Sequence, residues 1–253
     1  MAILEYFEND NLYFTVDNHE FITIMGNGNK NVIDNLVFKN KNNYIKLEGN
    51  TINSKKLPLY RSKVAFVLNE HLNTFTSETV EDELAFCMEN LCVKTTTMHE
   101  KVLENSVKFD LDDILNSDSN SIGSSKKALI KIISCLLFKP KVLILDNILC
   151  ELDRRDKEKI IPYLKQFVKE GNAIINFTAD IEDTLYGNYI ILLDKERVIA
   201  SGRTLSILNE EKLMNRLGLS LPFIVDLNKQ LMYYDIIDKY TLDEEGLVDE
   251  IWK

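Results

Sequence analysis

The chain has 253 residues, 45% of them hydrophobic and 28% charged, with 30 Lys and Arg against 40 Asp and Glu for a net charge of −10. This is the balance of a soluble globular protein built as one large α/β domain with a modest appendix, and it excludes a disordered chain, a collagen-like repeat and a basic nucleic-acid arm. An acidic field repels phosphate backbones, so nucleic acid is not an expected partner, and any anion needs a local device such as the amides at a helix N-terminus.

In chain order, Met1 to Asp10 carries Glu5, Glu8 and Asp10 and has no basic start followed by a long apolar stretch, so no secretory signal is expected. Five short apolar, β-branched runs read as buried strands: Phe21 to Met25, Val64 to Leu68, Val142 to Leu145, Ala173 to Phe177 and Tyr189 to Leu193. None approaches the ~18 to 20 residues that cross a bilayer. Between them, Thr79 to Leu91 places Val80, Leu84, Met88 and Leu91 on one helical face. Lys126 to Phe138 does the same with Leu129, Ile132, Ile133, Leu136 and Leu137, after a small, polar loop over Asp112 to Ser125. Past Gly202 the pattern changes to a helical appendage ending at Trp252. Strand and helix alternate, which predicts a mainly parallel sheet covered on both faces, with ligands beyond the carboxyl ends of the strands. Cys87, Cys92, Cys135 and Cys150 show no C-x-x-C spacing, and His19, His71 and His99 do not pair with them. No protein-ligated metal is expected, and Cys87 and Cys135, inside apolar periodic segments, read as small hydrophobes.

The strand Lys141-Val-Leu-Ile-Leu delivers Asp146 at its tip, which suits a magnesium–nucleotide site, although a strand-terminal aspartate also simply begins a turn. Leu152-Asp153 follows six residues on, and the loop Ile122-Gly-Ser-Ser-Lys begins 24 residues upstream of Asp146. This arrangement resembles the nucleotide-binding subunits of ATP-binding cassette (ABC) transporters. The stretch Phe75-Thr-Ser-Glu-Thr-Val-Glu-Asp-Glu-Leu-Ala-Phe is similar to the Q-loop region of the energy-coupling factor (ECF) branch of importers, and Leu219-Ser-Leu-Pro-Phe-Ile-Val-Asp-Leu and Leu242 to Trp252 are similar to that branch's C-terminal region. The resemblance runs from about Leu12 to Trp252 and implies a P-loop NTPase-like ABC ATPase fold. Its mainly parallel sheet has flanking helices, an antiparallel β part at the N-terminus and a helical signature subdomain at about 70–138, all within 1–203; residues 204–253 form a small helical appendage.

The resemblance assigns stations, and at several the residue differs. Against the phosphate loop G-x-x-x-x-G-K-[ST], the text Gly26-Asn27-Gly28-Asn29-Lys30-Asn31 puts Ile24 and Asn29 at the glycine positions when counted back from Lys30. The loop is thus two residues short, and Asn31 replaces the hydroxyl. Asn69 stands for the Q-loop Gln, Asn147 for the catalytic Glu and Ala179 for the switch His, which removes water positioning, general base and charge stabilisation together. The signature L-S-G-G-Q aligns with Ile122-Gly123-Ser124-Ser125-Lys126, a slip that uses Ser121 or Ser124 as the hydroxyl being open. Asp153 serves a D-loop, caps the next helix, or does both. Tyr6 or Phe7 stacks on adenine or packs in the core, and Glu81-Asp82-Glu83 reads as a solvated first helical turn near the segment where the family's transmembrane partner docks.

The implied cofactors are ATP and Mg²⁺, with Asp146 toward the metal. The implied partners are another ABC ATPase subunit, in a heterodimer, an ECF-type transmembrane component and, indirectly, a substrate-binding membrane protein. The implied location is the cytoplasmic face of the membrane. The leading expectation is a catalytically degenerate cassette subunit acting as a scaffold. Beside it stand a slow ATPase in which Asp180 or Glu70 substitutes for the lost groups, and a stand-alone regulatory or structural protein.

Overall fold

The computed structural model describes residues 2–8, 11–38, 44–118, 121–195 and 197–253. Its centre is a six-stranded sheet in the order β10-β9-β3-β8-β7-β6, formed by β3 (Phe21–Gly26), β6 (Val64–Leu68), β7 (Val142–Asp146), β8 (Ala173–Phe177), β9 (Tyr189–Asp194) and β10 (Arg197–Arg203). All neighbours pair in parallel except β10, which runs antiparallel to β9 at the edge. The central strands are buried on both faces, which is why they read as continuous apolar runs and not as alternating ones. A second, antiparallel sheet, β2-β1-β4-β5, joins β1 (Ala2–Glu8), β2 (Asn11–Asp17), β4 (Tyr44–Leu47) and β5 (Asn50–Thr51).

The parallel sheet divides the interior. On one face Ile22, Ile24, Val142, Ile144, Ile175 and Phe177 pack with the antiparallel sheet, with α1 (Asn29–Leu36) and with Tyr60 of α2 (Leu57–Lys63). On the other, Ala65, Val67, Leu143, Leu145 and Ile174 meet α3 (Val80–Glu89), α4 (Thr95–Lys108), α5 (Ser124–Leu137) and α6 (Arg154–Lys169). Each fully buried Val, Leu or Ile contributes roughly 1.5–3 kcal/mol. The C-terminal helices are α7 (Thr204–Leu208), α8 (Glu211–Leu217), α9 (Phe223–Tyr233) and α10 (Glu244–Ile251). They cluster on Met25, Ile190 and Leu192, so the appendage rests directly on the sheet at β3 and β9.

Local chemistry sets the helix ends. Thr79 caps α3, its hydroxyl accepting from the Asp82 N–H at 3.2 Å. The helix stops at Glu89, so Leu91 is exposed and not on the buried face as its spacing predicts. Helix α5 begins at Ser124, two residues before the predicted start, with Gly123 as its cap. It ends before Lys139, which takes the left-handed conformation (φ 57°), and Pro140 prevents continuation. The segment predicted as a loop over Asp112 to Ser125 includes a 3-10 turn at Asp112–Ile114 as well as the first turn of α5; Ser119 and Asn120 within it lie outside the described residues.

Candidate functional site

The chain passes from β3 into α1 through Asn27 and Gly28 alone. Gly26 closes the strand at φ 119°, and a Cβ there would lie 1.9 Å from the Leu193 carbonyl oxygen, so the approach of β9 demands glycine. Gly28, at φ 110°, supplies the N-cap without a side chain, and its carbonyl accepts from Asn31 and Val32. The remaining first-turn amides and Lys30, which is exposed, form the anion-attracting end of α1. Asn27 is exposed, and Asn31 is half-buried on the first turn. The Asn29 amide nitrogen donates to the Ile24 carbonyl at 3.5 Å, and its oxygen is buried without a partner. The connection is too short to wrap converging amides around a phosphate from several sides; it offers one helix end.

Asp146 ends β7, its backbone paired in register with Leu68 and Phe177. Burial is the main reason its carboxyl lies above the ordinary aspartate value; the Asn69 N–H and the Lys30 charge lower it, and the Glu70 and Asp34 charges raise it. Three carboxylates against one lysine make this surface a poorer host for a polyanion than a lysine-rich loop. Asn147 follows at φ 51° and is fixed on several sides. Its N–H donates to the Phe177 carbonyl at 2.7 Å and its side-chain oxygen accepts from the Ala179 N–H at 3.2 Å. Its carbonyl accepts from the Asn69 amide at 3.2 Å and from the Cys150 thiol at 3.1 Å. The structure thus brings Asn69, Asp146, Asn147 and Ala179 together at the carboxyl ends of β6, β7 and β8. The polar side chains there bond to the protein's own backbone, and no carboxylate or imidazole stands at Asn147 or Ala179 to take or give a proton.

The residues that the resemblance aligns with the signature and D-loop form a second cluster. Ile122 packs against the core and Gly123 and Ser124 are exposed. Ser125 donates to Asp156 at 2.6 Å and Lys126 pairs with the other oxygen of the same carboxylate at 2.7 Å. The Ser125 hydroxyl in turn accepts from the Asp153 N–H at 3.0 Å, and Asp153 caps α6 by accepting from the Asp156 N–H at 2.8 Å. Asp156 is 1% exposed. Sequence reasoning missed it, and its one available signal is the three-residue spacing from the capping aspartate. Ser121 donates to the Asp118 carbonyl at 2.7 Å. Of the two hydroxyls open to a register slip, Ser124 is the one with no bond of this kind described.

Other positions resolve toward structure. Tyr6 is fully buried, its hydroxyl accepting from Asn35 at 2.6 Å, and Phe7 lies beneath Lys46, so both aromatics belong to the antiparallel sheet's packing. The Glu81-Asp82-Glu83 cluster is not uniformly solvated. Glu83 is 5% exposed, accepts from the Thr76 N–H and hydroxyl and from the Ser77 N–H at 3.1–3.2 Å, and faces Lys131 at 3.5 Å. Its place four residues into α3 turns it inward to hold the segment that precedes the helix.

Solved structures with this fold include the cbiO1 protein of Clostridium perfringens, described as part of the ABC transporter complex cbiONQ. It aligns with a TM-score of 0.70 at 21% identity over 90% of this chain and 99% of that one. An ATP-binding subunit of an ABC transporter aligns at 0.71 and 18% identity over 91% and 100%. Among curated relatives, the energy-coupling factor transporter ATP-binding protein EcfA1 of Mycoplasmopsis pulmonis is 26% identical over 96% of this chain and 93% of its own length. EcfA1 of Ureaplasma parvum serovar 3 is 28% identical over 96% and 85%. The family profile described as ABC transporter matches residues 10–149, a span that holds Gly26 to Asn31, Asn69, Ile122 to Lys126 and the Asp146–Asn147 strand tip. With its parallel sheet, its antiparallel N-terminal sheet and these stations in that order, the chain belongs to the ABC transporter family.

Proposed function

We propose that this chain is the ATP-binding-cassette subunit of an ECF-type importer in which its own hydrolytic site is degenerate, and that it scaffolds a heterodimer with a second, active cassette ATPase on a transmembrane component. The observation that carries the reading is the Asn147 carboxamide, which occupies the general-base position and is committed to the Ala179 N–H. The relatives are named as energy-coupling factor transporter ATP-binding proteins, which supports the transporter class. Lys30, the first-turn amides of α1 and Asp146 are the groups that would hold an Mg²⁺–ATP complex, through one helix end in place of an encircling loop, whereas the residues at the hydrolytic positions do not fit its turnover. Bound nucleotide would supply the anhydride whose cleavage drives a cassette motor; this chain's part is to bind it and to complete the dimer with Ser124, Asp153 and the N-terminus of α5.

Among the described residues no helix is long and apolar enough to cross a membrane. Attachment to the cytoplasmic face therefore runs through the transmembrane component, docked near Thr79 to Phe86, beside a cavity of about 280 Å³ lined by His71, Thr76, Phe86 and Lys131. The solute is selected by a separate substrate-binding membrane protein. The test is steady-state phosphate release by the purified chain, alone and mixed with an active cassette subunit, together with co-purification from membranes. Background turnover alone, and turnover with the partner that a knockout of the partner's base abolishes, are expected. Ordinary turnover by this chain alone overturns the degenerate reading and leaves the slow-ATPase alternative, which the proximity of the Glu70 charge to Asp146 favours.

A further inference from the structure

The four cysteines divide into two kinds. Cys92 and Cys150 are exposed, whereas Cys87 on α3 and Cys135 on α5 face each other with their sulfurs 3.9 Å apart. The helices that carry them are pinned beside the pair, because the buried Ser134 hydroxyl donates to the Glu83 carbonyl at 2.8 Å. Ser134 adjoins Cys135, and Glu83 lies one turn before Cys87. Both sulfur-bearing residues line a groove of about 830 Å³ that runs past Phe66, Arg61 and Phe138, and both also line the 280 Å³ cavity above Lys131. Cys87 is half-buried and reachable from this groove, and Cys135 lies behind it, buried.

We propose that Cys87 and Cys135 form a peroxide-reactive dithiol at the floor of this groove, Cys87 the attacking thiol and Cys135 the resolving one, and that oxidation links α3 to α5 by a reversible disulfide. The inference stands on the geometry of these two thiols and does not rest on the transporter reading. The hydrogen bond with Cys135 is the largest influence holding the Cys87 thiol below its ordinary value; burial opposes it, Ser134 and Lys131 assist, and Glu83 opposes. Cys135, whose thiol donates to the Phe66 carbonyl at 3.7 Å, is pushed well up, first by its hydrogen bond with Cys87 and then by burial.

The chemistry balances with hydrogen peroxide as the oxidant. The Cys87 thiolate attacks one peroxide oxygen, the O–O bond breaks, and the departing hydroxide takes up the proton the thiol released, giving Cys87 sulfenic acid and water. The Cys135 sulfur then attacks the sulfenic sulfur, the S–O bond breaks as the S–S bond forms, and hydroxide leaves with the Cys135 proton as a second water. Each sulfur gives up one electron, and the two peroxide oxygens are reduced to water. The sulfurs need to close by about 2 Å to reach disulfide distance, between helices α3 and α5 that already pack against each other. In a reducing compartment such a bond is transient, which suits a sensor and not a structural brace.

The test uses the full chain with Cys92→Ser and Cys150→Ser, which removes the exposed thiols and leaves the core untouched. After reduction, exposure to hydrogen peroxide and alkylation, intact mass is expected to show loss of two hydrogens and no alkylation. Peptide mapping should join the Cys87 and Cys135 fragments, and dithiothreitol should restore two alkylatable thiols. Adding Cys135→Ser should stop the reaction at a Cys87 sulfenic acid that dimedone traps, while adding Cys87→Ser should leave Cys135 slower to oxidise by tenfold or more. Two freely alkylatable thiols after peroxide levels that oxidise Cys92 and Cys150 in the unsubstituted chain overturn the proposal. Equal oxidation of Cys135 with and without Cys87 overturns the assignment of the attacking thiol. A fold disturbed by either added serine shows in the circular dichroism, and the joined-peptide result from the parent variant then decides alone.

Discussion

Asn147 takes a left-handed backbone (φ 51°) that asparagine tolerates better than most residues, and its side chain spends its acceptor on the Ala179 N–H. Asn147→Glu places a carboxylate at this strand tip but leaves Asn69 and Ala179 as they are. Phosphate release by Asn147→Glu alone should therefore stay within about tenfold of the parent, because single groups of this kind contribute ~10² to 10⁴ in rate only when the others are in place. A rise of a hundredfold in a steady-state assay would show that the rest of the site is competent. Asp146 presents the opposite case, a charge kept at a cost. Burial raises its carboxyl above the unfolded value, so the proton is bound more tightly in the folded state. Its contribution to stability is present below the unfolded pKa and lost as the pH rises through the folded one. Asp146→Asn should consequently raise the melting temperature at pH 7, with the gain shrinking on acidification through that window. A melting temperature lowered at neutral pH would contradict this.

At the scale of the element, the α5–α6 contact hangs on one buried carboxylate. Asp156 collects Ser125, Lys126 and, through the Asp153 cap, the first turn of its own helix. Asp156→Ala should cost about 3 kcal/mol in urea unfolding, since it strands a partly buried lysine and a hydroxyl, whereas Ser124→Ala, on the exposed neighbour, should fall within ±0.5 kcal/mol. The β3–α1 turn is constrained by packing. Gly26→Ala places a methyl on the Leu193 carbonyl at a φ that alanine disfavours, and a loss of more than about 1 kcal/mol is expected from thermal or urea melts. Both substitutions distinguish framework from nucleotide contact, because Gly26 and Asp156 act through the protein's own backbone and side chains.

For the whole molecule, three apolar clusters wrap one sheet, and the C-terminal helices close the cluster over β3 and β9. Exposed Phe223, Tyr233, Tyr234 and Trp252 stand on that appendage, and the net charge of −10 keeps the remaining surface soluble. The groups that would hold nucleotide and those at the signature loop are assembled by different parts of the fold. On the proposed heterodimer reading, turnover in a mixed sample should depend on the partner's catalytic base and be insensitive to Asn147→Ala in this chain. Comparing phosphate release from the two single knockouts in the reconstituted pair measures this; equal losses from both would place working chemistry in each subunit.

The five apolar runs, the amphipathic spacing of α3 and α5 and the order of stations around Asp146 were legible in the text of the chain. Each is a local pattern, a period or a spacing, that burial on one face imposes on neighbouring residues. The places of Asn69, Asn147 and Ala179 just past the ends of β6, β7 and β8 were equally legible, because each follows an apolar run closely in the chain. Tertiary structure alone decided that Glu83 turns inward onto Thr76 and Ser77, and that Ser125 and Lys126 converge on Asp156. It also decided that Asn147 is tied to Ala179, and that two cysteines 48 residues apart stand sulfur to sulfur. Those facts belong to pairs brought together by packing across elements. Composition and spacing determine which faces are buried, while the identity of a polar group's partner is set only when helices and strands from distant parts of the chain close on one another.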